Sequence, residues 1–144
     1  MINSIGVSNS LYYQRAQQKQ QNRAQDEAIK EQYNEIYAHE QAHKSAAGSL
    51  GGPIVIEKNY QGIPIGGHVN IKMPALNKEN PEETIKQADT VIKSAMAPSD
   101  PSNQDYKVAS EARSIRTEAK NIESKNEQSN GQTSQAGLKL NLIA

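Results

Sequence analysis

Apolar positions along this chain fall into separate blocks, each with its own period. Between Asp26 and Ala47, the residues Ile29, Tyr33, Ile36, Glu40, His43 and Ala47 recur at intervals of three and four, which lines them along one face of a helix. Gly48, with Gly51, Gly52 and Pro53 after it, supplies the stop signal. The inward stripe therefore ends in two ionisable side chains, Glu40 and His43, where a helix that merely packs would carry aliphatic ones. Further on, Ile54-Val55-Ile56 and the run from Ile63 to Met73 flank Asn59-Tyr60-Gln61-Gly62. Two β-branched runs around a glycine-containing turn predict a β-hairpin. In the second run His68 shares a face with Asn70, opposite Val69 and Ile71.

Two more helices follow. Asn80 can cap the first, Pro81 suits its first turn, and Glu83 completes a pattern resembling a capping box. Ile85, Ala88, Ile92 and Ala95 mark its buried stripe, and Pro98 ends it. Asp100-Pro101 opens the next, with Ala109, Ala112, Ile115, Ala119 and Ile122 along its face. The flanks lack such stripes. Residues 1–25 are Gln-rich and read either as a solvated helical extension or as disordered chain. From Glu123 the sequence turns to Ser, Asn, Gln and Gly, the composition of a disordered tail, within which Leu138, Leu140 and Leu142 alternate as a short docking strand would. The expected architecture is α+β and mainly helical: one domain over residues 26–122, with a long motif-bearing helix, a short β-hairpin and two C-terminal helices, between polar flexible tails at 1–25 and 123–144.

Composition narrows the function classes. Only 35% of residues are apolar and there is no Phe or Trp, so the core is thin and a bound metal would add needed stability. Sixteen basic residues balance sixteen acidic ones, which offers nothing to nucleic acid or to an anionic membrane. The absence of cysteine excludes a disulfide scaffold, a thiolate zinc knot and a cysteine nucleophile. Met1 to Ser10 lack the pattern of a secretory signal, and no apolar run reaches the roughly 18 residues of a membrane span. The expected location is the cytoplasm, with export by a route without a cleaved signal left open.

His39-Glu40-Gln41-Ala42-His43 is an HExxH pattern. Residues four apart on a helix stand one turn above each other, so both imidazoles can reach one ion. Zinc accepts neutral imidazole and leaves an open position for water, whose proton Glu40 can take as the water attacks a carbonyl. A third protein ligand is expected, and His68, behind the Gly66-Gly67 pair, is the first choice. Glu57 is the runner-up, and Glu82, Glu83 and Asp89 are weaker. The longer HExxHxxGxxH form is excluded, because Ala46 and Ser49 stand where its glycine and third histidine would be. Tyr60, Tyr106, Arg113 and Arg116 are available as oxyanion donors, with Tyr106 preferred.

Ala38-His39-Glu40-Gln41-Ala42-His43, the following Ala46-Ala47-Gly48 and the Gly52-Pro53 pair resemble the bacterial SprA-related metalloprotease family. The resemblance continues through Gly66-Gly67-His68-Val69-Asn70-Ile71 and through Ala95-Met96-Ala97-Pro98-Ser99-Asp100-Pro101-Ser102-Asn103-Gln104-Asp105, covering about residues 33–120. It implies a zincin-like catalytic domain with Zn2+ on His39 and His43 and with Glu40 as the base. Members of that family commonly carry Glu after the Gly-Gly pair; His68 replaces one type of zinc ligand by another. The leading expectation is thus a zinc-dependent metallopeptidase acting on a protein or peptide substrate, without nucleic acid and without membrane insertion. Two other readings stand beside it: a non-catalytic, zinc-stabilised protein-binding module with a closed site, and a metal-free helical adaptor.

Overall fold

The computed structural model describes residues 4–140, and side chains over residues 9–129. Helix α1 (Ser4–Ala47) leads through a short 3-10 turn (Gly48–Leu50) into strands β1 (Gly51–Lys58) and β2 (Pro64–Ile71), then helices α2 (Pro81–Ala95) and α3 (Asn103–Leu140). The strands pair as a two-stranded antiparallel sheet. No helix among the described residues is long and apolar enough to cross a membrane. The chain divides into two compact units. One comprises the chain up to Ala38 with Val55–His68; the other comprises His39–Ile54 with the chain from Val69 onward.

In the first unit, α1 is exposed along most of its length, with Ile29 and Ile36 half-buried and Tyr33 stacked on Tyr37 at 6.0 Å between ring centroids. The Gln-rich extension is thus helical from Ser4, continuous with the predicted helix, while residues 1–3 lie outside the described part. The hairpin turn is built by Asn59. Its Oδ1 accepts from the amides of Gln61 at 2.9 Å and Ile63 at 3.0 Å, and its carbonyl accepts from Gly62 N at 2.9 Å. Gly62 takes φ 78°, a conformation that costs a side-chain-bearing residue steric strain.

The second unit holds the core. Ala47, Ala88, Val91, Ala95, Ala109, Ala112 and Ala119 are buried, as are Thr84 and Ser94. Alanines at the contact let helices approach closely, and Val91 is the largest fully buried side chain. Arg116 Nε lies 3.0 Å from Asp89 Oδ1, an ion pair linking α2 to α3. Thr84 serves the approach to α2: its Oγ1 accepts from Asn77 N at 3.0 Å and donates to the Ala75 carbonyl at 3.2 Å. Asn80 caps α2 as its sequence predicts, with Oδ1 accepting from Glu83 N at 3.4 Å and Pro81 in the first turn.

The last helix differs from expectation at both ends. It begins at Asn103, with the Pro98–Ser102 stretch as connector, and continues past Ile122 to Leu140, where composition suggests a disordered tail. Side chains from Ser124 to Ser129 are exposed, and Asn126 Nδ2 donates to the Lys78 carbonyl at 3.2 Å, a polar contact that hydrophobic periodicity could not announce. Leu138 and Leu140 fall on helical backbone, not on a strand; Leu142 lies outside the described residues.

Since Val91 is the bulkiest member of an alanine-rich core, Val91→Ala should lower unfolding free energy by about 2 kcal/mol, from two lost methyl groups plus a residual cavity. Urea unfolding followed by circular dichroism reads this directly, and a loss under about 0.5 kcal/mol would place the residue outside the load-carrying contacts.

Candidate metal centre

The final turns of α1 carry the motif. Glu40, His43 and Ala47 follow the i, i+3, i+7 stripe and are all buried: Glu40 is 6% exposed and His43 4%. His39 lies one position earlier and is half-buried. The predicted inward face is thus observed over Glu40, His43 and Ala47, whereas Ile29 and Ile36 are half-buried and Tyr33 is exposed.

His43 is clasped from α2. Its Nδ1 lies 2.9 Å from the Ser94 carbonyl, and Ser94 Oγ donates to the His43 carbonyl at 2.6 Å. Ser94 is in the last turn of α2, where its carbonyl accepts from Ala97 N at 3.1 Å and has a second lone pair for the ring N–H. A carbonyl only accepts, so His43 Nδ1 carries the proton and its Nε2 presents a lone pair. His39 is held in the same sense: its Nδ1 lies 3.3 Å from Asp100 Oδ1, an acceptor when ionised.

Both Nε2 atoms then point to one place. They are 3.2 Å apart. Asp105 completes the group, with Oδ1 3.3 Å from His43 Nε2 and Oδ2 3.8 Å from His39 Nε2. These three side chains are a group of possible ligands whose donor atoms lie within 4.8 Å of one another. In a zinc tetrahedron with bonds of roughly 2.0–2.1 Å, neighbouring donors stand about 3.3 Å apart. Two of the three separations, 3.2 and 3.3 Å, match that spacing, and the third is longer at 3.8 Å. With both Nε2 atoms unprotonated, two lone pairs and a carboxylate face each other, an arrangement that a cation or a shared proton among them stabilises. The described residues give this group three members, His39, His43 and Asp105.

Asp105 is placed by α3. Ser102 and Asp105 form a reciprocal capping box, with Ser102 N donating to Asp105 Oδ2 at 2.6 Å and Asp105 N donating to Ser102 Oγ at 3.2 Å. One carboxylate oxygen is thereby spent on the helix start while the other faces His43. Asp105 was not among the candidates drawn from sequence, although the Ser-x-x-Asp spacing at 102–105 announces a cap and its side chain's direction. The contact to α1 spans 62 positions and has no local signature.

The remaining candidates have other partners or none in this group. His68 Nδ1 is 3.1 Å from Glu57 Oε1, across the hairpin in the first unit, and both side chains are about half exposed. Glu82 pairs with Lys86 at 2.8 Å; the hydrogen bond from Lys86, and then its charge, hold the Glu82 carboxyl below its ordinary pKa. Glu83 accepts from Gln87 Nε2 at 3.2 Å, and Asp89 faces Arg116. Tyr60 is 95% exposed at the hairpin turn, and Tyr106 is 51% exposed beside Asp105, the one oxyanion candidate adjacent in sequence to the group. Arg113 lines a shallow surface depression on α3 with Ser110 and Thr117.

The profile of the SprA-related family matches residues 9–138, and the chain belongs to that family. No curated protein and no solved structure matches it.

Removing the cap should disturb α3 before it disturbs the core. Ser102→Ala is expected to cost about 1 kcal/mol of stability, measured by urea unfolding; an unchanged midpoint would show that the box does not hold the start of α3.

Proposed function

We propose that this protein is a zinc-dependent peptidase in which His39, His43 and Asp105 hold the metal and Glu40 acts as general base. The observation that carries the reading is the convergence of two imidazole Nε2 lone pairs and one carboxylate at tetrahedral-edge spacing, with each Nδ1 turned outward onto an acceptor. Outer partners of this kind fix the tautomer and orientation of ligating histidines. Bound there, zinc supplies Lewis acidity, polarising a scissile carbonyl and bringing the pKa of a water towards about 7.

The residues do the rest. Glu40 follows His39 and lies one turn before His43, at the position from which a carboxylate can take a proton from the attacking water and return it to the leaving amine. The third ligand has two claimants, His68 from the sequence pattern and Asp105 from geometry. The reading assigns Asp105, which stands against His43, while His68 is engaged with Glu57. A closed structural zinc site is the second reading, favoured by the alanine-rich core that a metal would reinforce. Three side-chain ligands, the number a catalytic zinc usually takes from protein, favour catalysis over closure. The substrate is a protein or a peptide.

Two measurements test this. Purified protein titrated with zinc should bind one equivalent, with Asp105→Ala weakening binding at least about 100-fold and His68→Ala leaving it within a few-fold; the opposite ranking would return the third place to His68. Glu40→Gln should bind zinc as wild type does while cleaving casein or a peptide library about 10²–10⁴-fold more slowly. Wild-type protein that binds zinc and cleaves nothing would leave the structural reading standing in place of the peptidase.

A further inference from the structure

We propose that Asp100 is a positioning residue for the metal centre: its carboxylate, on the connector between α2 and α3, accepts from His39 Nδ1–H and so aims the His39 Nε2 lone pair at the cation. The inference rests on the metal reading above and adds a residue that neither the motif nor the ligand group contains. The two histidines differ in how they are held. His43 is buried and its Nδ1 meets a main-chain carbonyl at 2.9 Å. His39 is half-buried, and the acceptor at its Nδ1 is the Asp100 side chain at 3.3 Å. Without that acceptor the His39 ring is free to flip or to carry its proton on Nε2, and either change removes the donor atom from the site.

An exposed carboxylate ordinarily makes a weak partner, because ordering it costs side-chain entropy and water competes; the Asp100 side chain is 85% exposed. The connector reduces that cost. Asp100 precedes Pro101, so its backbone is confined to the extended region, and Pro98, buried behind it, fixes a second dihedral two residues earlier. Ser99 Oγ lies 3.4 Å from Asp100 Oδ1, a donor on the same oxygen that faces His39. Two residues past Asp100, the capping box that joins Ser102 to Asp105 begins. The connector therefore presents Asp100 to His39, and the first turn of α3, five residues on, presents Asp105 to His43. A carboxylate partner also raises the basicity of the ligating nitrogen opposite, which a neutral acceptor does less well.

The test compares Asp100→Ala and Asp100→Asn with wild type in the full chain. Competition titration with a chromophoric chelator measures zinc affinity, and the visible spectrum of the cobalt-substituted protein reports the geometry of the site. Asp100→Ala should lose about 10- to 100-fold in zinc affinity and alter the cobalt bands. Asp100→Asn, whose Oδ1 still accepts from Nδ1–H, should recover most of the affinity and the wild-type band positions. Thermal unfolding of metal-free protein should be the same for all three, since the side chain is exposed. Nitrogen-15 spectra of the metal-free protein should show His39 protonated at Nδ1 in wild type and a mixture of tautomers in Asp100→Ala. Zinc affinity within twofold of wild type in Asp100→Ala, with unchanged cobalt bands, overturns the proposal and leaves the metal centre intact. Wild-type protein that binds no zinc overturns the metal reading itself, and this inference with it.

Discussion

The exchange between His43 and Ser94 is the contact on which the rest of the second unit turns. A ring N–H donates to a carbonyl and a hydroxyl donates back, both within 3.0 Å and both removed from water. Buried polar groups tolerate no vacancy, so this pair admits one relative placement of the end of α1 and the end of α2. Once His43 is oriented, its other nitrogen must face the start of α3, and the capping carboxylate of that helix is what it meets. Three helix termini are brought to one point by polar contacts, while the apolar core between them is mostly methyl groups.

That division of labour explains the composition. A core of Ala, Val and Thr buries little area per residue, and hydrophobic stabilisation scales with area. Small side chains nevertheless let α2 and α3 pack closely, so polar groups on the flanking termini reach one another at hydrogen-bond distance. A bulky core would hold the helices more strongly and farther apart. The family to which the chain belongs is thus represented here by a unit whose stability and whose candidate chemistry draw on the same side chains.

Local signals were legible in the sequence. The stripe from Ile29 to Ala47, the Asn59 turn, the Asn80 cap and the alternation around His68 each depend on residues within a few positions, and each has its counterpart in the fold. The meeting of His39 and His43 was legible for the same reason, being one turn of helix. Asp105 was not, since its place at the site follows from how α3 docks, and its spacing to Ser102 speaks only of a cap. No apolar stripe extends α3 beyond Ile122, since the side chains from Ser124 to Ser129 are exposed and Asn126 reaches the Lys78 carbonyl by a polar contact. Attention to His68 came from ligand chemistry, whereas its neighbour in the fold is Glu57 across the hairpin.

The main-chain acceptor at position 94 has a bearing on how this site can drift. Every amino acid brings the same carbonyl, so no substitution there removes the acceptor itself. What substitution alters is volume, and Ser94 is wholly enclosed. A larger side chain would wedge α1 from α2 and carry the carbonyl away with it. Position 94 is therefore filtered by size, with chemistry entering only through the returned hydroxyl bond, and alanine or glycine would keep the histidine's orientation at the cost of that one bond.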